Sequence, residues 1–278
     1  MRTELGKYNT LEVVKEVDFG IYLDGGADGE ILLPAKYVPE GTKIGDMLEV
    51  FLYLDQEERL IATTETPLAQ VGQYACLECA WVNEYGAFLN WGLMKDLFVP
   101  FREQRAKMRQ GGKYLVYVYV DEESYRIVAS AKINKFLKEE DELDYKEGDE
   151  VEILIGERTD LGWKVIIDNK AQGLVYADEV FAQIHTGDKT KGYIQYIRPD
   201  GKIDVRLQRD GQAGVRDFAD ELRDYLKSHD GFCPLHDKSD PDDIYDTFGV
   251  SKKVFKKAVG ALYKKRLVKV GSDGISLA

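Results

Sequence analysis

One pattern occurs three times along this chain with matched spacing. It reads D-F-G-I-Y-L around Gly20, E-Y-G-A-F-L around Gly86 and D-L-G-W-K-V around Gly162. Thirteen positions beyond each glycine stands an apolar residue, Leu33, Val99 or Val175. Twenty-five positions beyond stands another glycine, Gly45, Gly111 or Gly187. A repeat that keeps this punctuation in step implies one supersecondary unit used three times. The period of 66 and then 76 residues points to units smaller than the two domains that 278 residues would suggest. Units of this size have thin cores, so contacts between neighbours should contribute to stability.

The second unit shows what the repeat folds into. Residues 74–82 are rich in β-formers and read as a strand. Ala87-Phe88-Leu89 and Leu97-Phe98-Val99 are the next two, and Pro100 closes the third. Residues 102–110 are polar and helix-compatible, ended by Gly111-Gly112. Residues 113–120 form a strongly β-forming fourth strand and 126–130 a fifth. Five short strands with an insert between the third and fourth match a Greek-key barrel of the OB type. The first unit repeats the plan at 31–34, 47–54 and 60–64, the third at 173–176, 190–197 and 202–207. The expected fold is mainly β with a small α+β end: three tandem OB barrels at 1–65, 66–138 and 139–210, then a helical domain at 211–278.

That last domain reads as a winged helix. Residues 211–228 have helical spacing, with Phe218, Leu222, Tyr225 and Leu226 on one side. Ser239-Asp240-Pro241 starts a short helix with a capping side chain and a first-turn proline. Ser251 caps another helix running to about Arg266, and residues 267–277 form a hairpin. Helix, glycine turn, helix and hairpin is the winged helix-turn-helix order.

The segment around Gly20, followed by I-L-L-P and G-D-M-L-E-V, resembles the S1 RNA-binding domain, an OB barrel. The whole chain resembles the conserved virulence factor B family of bacterial proteins, which carry tandem S1-type barrels and a C-terminal winged helix. The stretches that carry the likeness are I-A-T-T-E at 61–65, W-G-L-M-K-D-L-F-V-P at 91–100 and S-K-K-V-F-K-K-A-V-G-A-L-Y-K at 251–264. The resemblance implies a non-enzymatic RNA-binding protein with a post-transcriptional role that influences virulence-gene expression in some bacteria.

It also implies where bases would stack. S1 domains place rings just before the strand glycine and two residues after it, which here are Phe19 and Tyr22, then Tyr85 and Phe88. On the residues alone the favoured reading is that these rings fill the barrel cores, as most strand aromatics do. A separation of three normally puts two side chains on opposite faces of a strand. A bulge at the glycine would bring both to one face. The third unit has Leu161 and Lys164 instead, with Trp163 reading as core and Tyr176 as a compensating ring.

Net charge is −12, which alone argues against a polyanionic partner, but its distribution argues otherwise. Residues 1–65 carry 6 basic and 14 acidic side chains, residues 66–138 carry 10 and 7, and residues 139–210 carry 10 and 18. Residues 251–270 carry 8 basic side chains and no acidic one. The second barrel, with Arg102, Arg105, Lys113 and Arg126 beside its rings, is therefore the expected main barrel contact, and Arg59 is the candidate cation of the first. In the winged helix the candidates are Lys252, Lys253, Lys256, Lys257, Lys264 and Arg266. The partner this suggests is single-stranded RNA, gripped by stacking on the barrels, with duplex DNA on the winged helix as the rival. A transcription regulator and a protein-interaction scaffold remain the alternatives.

Other signals imply little. Cys76 and Cys79 lie three apart on a strand, so they should face opposite ways and make a poor half of a metal site. None of the three histidines sits in a nucleophile–base arrangement. The expectation is no cofactor, no metal, no enzymatic activity and no membrane partner. Three cysteines, and the lack of a signal peptide or a spanning apolar run, suggest the cytoplasm.

Overall fold

The computed structural model describes residues 3–139, 142–177, 180, 184–208 and 211–278, with side chains from residue 218 on in the last stretch. Residues 140 and 141, near the start of the third expected barrel, and residues 209–210 at its end lie outside the described residues. The chain divides into two compact units, residues 1–137 and 138–278.

Barrel 1 is built from β1 (Tyr8–Val17), β2 (Gly20–Asp24), β3 (Glu30–Pro34), β4 (Met47–Leu54) and β5 (Leu60–Thr63). They close in the order β1-β2-β3-β5-β4. Barrel 2 uses β6 (Tyr74–Val82), β7 (Gly86–Asn90), β8 (Leu97–Pro100), β9 (Lys113–Val120) and β10 (Ile127–Ser130). Barrel 3 uses β11 (Glu150–Arg158), β12 (Gly162–Ile167), β13 (Ala171–Tyr176), β14 (Lys189–Ile197) and β15 (Ile203–Arg206). Both close in the same cyclic order as barrel 1, with the third and fifth strands parallel.

The geometry explains the spacing of the repeat. Gly20, Gly86 and Gly162 open the second strand of their barrels. A Cβ on any of them would overlap the carbonyl oxygen of Leu33, Val99 or Val175, the residue thirteen positions on. Only a residue without a side chain lets the third strand approach this closely. The residue before the glycine then accepts a hydrogen bond from the end of the third strand: Ala35 N–H to Phe19 at 2.9 Å, Phe101 to Tyr85 at 3.3 Å, Ala177 to Leu161 at 3.1 Å. The glycine twenty-five positions on has a left-handed backbone, with φ of 93°, 77° and 100° at Gly45, Gly111 and Gly187. Its N–H donates at 2.8 Å to the carbonyl of Val13, Cys79 or Ile155 on the first strand.

That contact corrects one expectation. The break in strand register lies not at the repeat glycine but on the first strand, between Val13 and Lys15, Cys79 and Trp81, and Ile155 and Arg158. The bulge thus forms where the later glycine grips the strand. Phe19 precedes its strand, on a turn, and meets Tyr22 edge to face with ring centroids 6.4 Å apart.

A second expectation fails at 102–110, where only a 3₁₀ turn at Phe101–Glu103 forms. The side chains of this segment are tied to the barrel. Gln104 donates to the carbonyl of Val99 at 2.9 Å and accepts from the N–H of Met108 at 3.0 Å. Glu103 is buried and paired with Lys135 at 2.7 Å, and Met108 is in the core. Three inward anchors over six residues leave no continuous helix.

Barrel 1 has its own core around Leu23, Leu33 and Val50, and its β4 also reaches into the core of barrel 2. Phe51 and Tyr53 of β4 pack into the cluster of Leu77, Leu89, Trp91 and Val116, with Phe51 edge-on to Trp91 at 5.8 Å. Gly6 donates to Leu52 and accepts from Val71 at the join. The contacts expected between neighbouring small units are thus present for this pair.

The second unit adds α1 (Gly211–Ser228), β16 (Phe232–Cys233), α2 (Pro241–Phe248), α3 (Lys252–Lys264), β17 (Val268–Val270) and β18 (Ile275–Leu277). Phe218, Leu222, Leu226, Phe248, Phe255 and Leu262 form the core of these elements, separate from that of barrel 3. Asp240 caps α2, with Pro241 in the first turn, and Ser251 caps α3. The last helix ends before Arg266, whose backbone is left-handed with φ 57°. After α1 ends at Ser228, Phe232 and Cys233 make a two-residue strand beside β18.

Two glycine substitutions separate the two kinds of constraint. Gly86→Ala should cost about 3 kcal/mol because a methyl would press on backbone that cannot move aside. Gly111→Ala, where nothing lies within 4 Å of a Cβ, should cost only the left-handed penalty of about 1–2 kcal/mol. Denaturant unfolding of each variant checks this; equal losses would refute the assignment.

Candidate nucleic-acid interface

The repeated frame puts three positions side by side across each barrel: one on the first strand, the second residue after the repeat glycine, and one on the third strand. In barrel 2 these are Trp81, Phe88 and Phe98, paired across β6–β7 and β7–β8. Trp81 and Phe88 stack with centroids 3.7 Å apart and planes 2° from parallel, and Phe98 lies 4.9 Å from Phe88. In barrel 1 the row is Lys15, Tyr22 and Leu32, with the Lys15 ammonium 5.3 Å from the Tyr22 ring. In barrel 3, Lys164 pairs with Leu174 and lies 3.6 Å from Glu157. Only barrel 2 has three rings in the row.

Tyr85 is 67% exposed and Phe19 58% exposed, while Phe88 and Tyr22 are half-buried. Neither expected pair is sealed in its core. Leu161 occupies the equivalent exposed position of barrel 3, and Trp163 is half-buried with Arg158 over its ring at 5.8 Å. Tyr176 is engaged: its hydroxyl accepts from Arg198, which also pairs with Asp204 at 2.8 Å.

Tyr85 and the Trp81–Phe88–Phe98 row line a groove of about 1100 Å³ between barrels 1 and 2. Tyr53, Gln56 and Glu58 of barrel 1 contribute to its lining. Arg102 and Arg126 also line it, whereas Arg105, Lys113 and Arg59 do not. Arg105 donates to Asn134 at 3.0 Å, Lys113 lies opposite Glu78, and Arg59 pairs with Asp55 and Glu57. Sequence reasoning passed over Trp81 and Phe98. The signal that would have found them is cross-strand register, since both sit level with Phe88 once the bulge before Trp81 is counted.

The groove arginines are not free. Arg102 pairs with Asp121 at 3.0 Å and lies 3.8 Å from Glu123, and Arg126 pairs with Glu58. Ser124 donates to Asp121 through its hydroxyl, and this bond, with Arg102, holds the Asp121 carboxyl below its ordinary range. Lys95 donates to the carbonyl of Asp55 at 2.6 Å, and burial pushes its ammonium below its usual value. Asp96 accepts from the Trp81 indole at 2.8 Å and fixes that ring.

The winged-helix cations stand differently. Lys253, Lys256, Lys257 and Lys264 are exposed and spaced along one stripe of α3. Among the described residues none of them is in an ion pair. Lys252 is half-buried and donates to the carbonyl of Ser239 at 2.7 Å. Gly260 falls on the stripe, and a Cβ there would meet nothing within 4 Å.

Cys76 is half-buried and Cys79 belongs to the core, and burial pushes both thiols up. Among the described residues no cluster of three or more metal-ligating side chains occurs, and no helix is long and apolar enough to cross a membrane.

Residues 5–65 match the model of the S1 domain, and residues 220–277 match that of the CvfB-like winged helix domain. The chain is similar to the uncharacterized protein YitL of Bacillus subtilis, at 29% identity over 93% of this chain and 89% of the relative. It is similar also to conserved virulence factor B of Staphylococcus aureus, at 25% identity over 98% of this chain and 94% of the relative. A crystal structure of a multidomain protein with nucleic acid binding domains from Streptococcus pneumoniae aligns over 99% of this chain and 98% of its own, at 23% identity and a TM-score of 0.42.

Two outcomes test this geometry. NMR titration should place the Asp121 carboxyl below about 3.9, and Ser124→Ala should raise it. With the folded value depressed, its contribution to stability is full above the unfolded value and fades as pH falls through the folded one. Gly260→Ala should stabilise the winged helix by about 1 kcal/mol, because it removes a helix-interior glycine without a clash. A destabilised variant in a denaturant series would contradict the open space seen there.

Proposed function

We propose that this chain, which belongs to the conserved virulence factor B family, binds single-stranded RNA without catalysing a reaction and regulates gene expression after transcription. Its S1-type and winged-helix domains are of the nucleic-acid-binding kind. The observation that carries the finer reading is the aromatic row Trp81–Phe88–Phe98 beside the exposed Tyr85. Rings that open onto a groove offer sequence-tolerant stacking to unpaired bases, worth about 1–3 kcal/mol per base. A duplex keeps its bases stacked on one another and could not use them.

Barrel 1 offers Phe19 and Tyr22 as a weaker platform, and barrel 3 offers no exposed ring at those positions. The α3 stripe supplies the second surface. Its four lysines lack protein counterions among the described residues, so a phosphate backbone would release solution counterions there. Two weak sites on one chain raise the apparent affinity for a strand that reaches both. Ionic contacts by Arg105 and Arg59 would require them to leave their present partners, and Lys113 stands opposite Glu78, so the lysines of α3 come first.

The test is binding of the full-length protein to single-stranded RNA and to duplex DNA across a salt series. Tyr85→Ala with Phe88→Ala should weaken RNA binding by about 10- to 100-fold while the protein stays folded, as one or two lost stacks require. Lys253→Glu with Lys257→Glu should lower the slope of log affinity against log salt by about 0.7 for each lost phosphate contact. Preference for duplex DNA would replace this reading with a transcription regulator. Absence of salt-dependent binding to either would leave a protein scaffold.

A further inference from the structure

The groove between barrels 1 and 2 combines an aromatic floor with cations that already have partners. Three basic side chains line it, Lys95, Arg102 and Arg126, against four acidic ones, Glu58, Asp96, Asp121 and Glu123. Every one of the three basic groups is engaged: Lys95 with a backbone carbonyl, Arg102 with Asp121 and Glu123, Arg126 with Glu58. The Asp121 side chain is only 14% exposed and is held also by Ser124. A phosphate that took Arg102 would leave this carboxylate without its cation in a poorly solvated place, beside a further incoming negative charge. The field of the groove therefore opposes phosphate.

The same groove suits a flat, uncharged ring. Tyr85 and Trp81 are exposed, at 67% and 42%, and Met94 at 60% lies beside them. Trp81 is fixed from one side by Phe88 and by its bond to Asp96, so its ring is already ordered before a ligand arrives. The volume of about 1100 Å³ is at or above the roughly 300–1,000 Å³ usual for small-molecule pockets. It has room for a base with its sugar.

We infer that this two-barrel groove takes the base of an unpaired nucleotide by stacking and makes no phosphate contact, with Arg102 and Arg126 kept in their protein ion pairs. This rests on the RNA-binding reading above and says which part of the strand the groove holds. The salt-dependent part of binding then belongs to other surfaces, the α3 stripe first, and the groove's part is independent of salt.

Two measurements on the full-length protein decide it. The first is the affinity for a mixed-sequence 12-nucleotide RNA across a salt series. Arg102→Gln with Arg126→Gln should leave the slope unchanged and the affinity within about threefold. Tyr85→Ala with Phe88→Ala should lower affinity by the same factor at every salt concentration. A slope reduced by about 0.7 per arginine removed would overturn the inference. Arg126 joins the barrels, so Arg102→Gln alone serves if the double variant loses its thermal transition.

The second measurement follows the Trp81 and Tyr85 ring signals by NMR while each of the four nucleosides, and then its 5′-monophosphate, is added. Shifts from at least one nucleoside, with its monophosphate binding within about threefold, support the groove as drawn. Shifts from monophosphates alone would overturn it. The two failures separate. A protein that binds no RNA but shows nucleoside shifts loses the RNA-binding function and keeps the base-binding groove. A protein that binds RNA with arginine-dependent slope keeps the function and loses the groove assignment, and absence of both signals ends both.

Discussion

In each barrel a backbone carbonyl occupies the space that a side chain would need on the glycine opening the second strand. That approach sets much of the rest. It draws the third strand across the second, and it leaves the preceding residue on a turn with its carbonyl accepting from beyond the third strand. The side chain of that residue points away from the core, whichever side chain it is: Phe19, Tyr85 and Leu161 are all exposed. A second glycine, in left-handed conformation, grips the first strand and forces its bulge. Two glycines per unit therefore fix the frame through the backbone alone, and the outward side chains are free to differ.

The differences are what give the units separate characters. The position two residues after the glycine holds Tyr22, Phe88 or Lys164, and its neighbours follow suit. Barrel 2 sets three rings side by side; barrel 1 sets a lysine beside one ring; barrel 3 replaces the ring by an ion pair. In barrel 3 even Tyr176 is bound by Arg198, which Asp204 holds in turn. An aromatic side chain that already serves an arginine of its own barrel is a poor platform for a base. One fold thus presents a stacking surface, a mixed one and a largely ionic one along a single chain.

Much of this was legible in the residues, for a physical reason. Glycine spacing reports backbone geometry directly, because no other residue tolerates the carbonyl overlap or the left-handed turn at low cost. Strand positions followed from β-formers bounded by those glycines, and the caps Asp240 and Ser251 announced their helices. What could not be read was register and partnership. The bulge was placed at Gly20 and Gly86, whereas the grip of Gly45 and Gly111 puts it on the preceding strand, out of sight of a local pattern. That one-residue shift is what brings Trp81 level with Phe88. The polar run 102–110 resembled a helix because its anchors, Glu103 to Lys135 and Gln104 to Val99, are not local in the way a helix is. Likewise, counting arginines around barrel 2 could not show that Arg102 and Arg126 were already matched by Asp121 and Glu58.

Charge makes the same point about locality. A chain with net charge −12 would repel a polyanion if its charges acted together at long range. In physiological salt they do not, because the screening length is about 8 Å. What a phosphate meets is the set of groups within that distance. On α3 these include Lys253, Lys256 and Lys257, four-apart and three-apart neighbours on one helix face. Each like-charged pair four apart costs an isolated helix about 0.2–0.5 kcal/mol, and Gly260 adds about 1 kcal/mol relative to alanine. The capping of Ser251 and the core contacts of Phe255, Ala258 and Leu262 carry the helix against those costs. An anion laid along the stripe would relieve the repulsion, so the same residues that weaken the free helix favour its complex. Barrel 2 is built the opposite way, with its groove cations neutralised in the free protein, and has no such repulsion to release. Among the described residues, a stripe of lysines outside any ion pair and a groove of paired cations are thus combined in a single acidic chain.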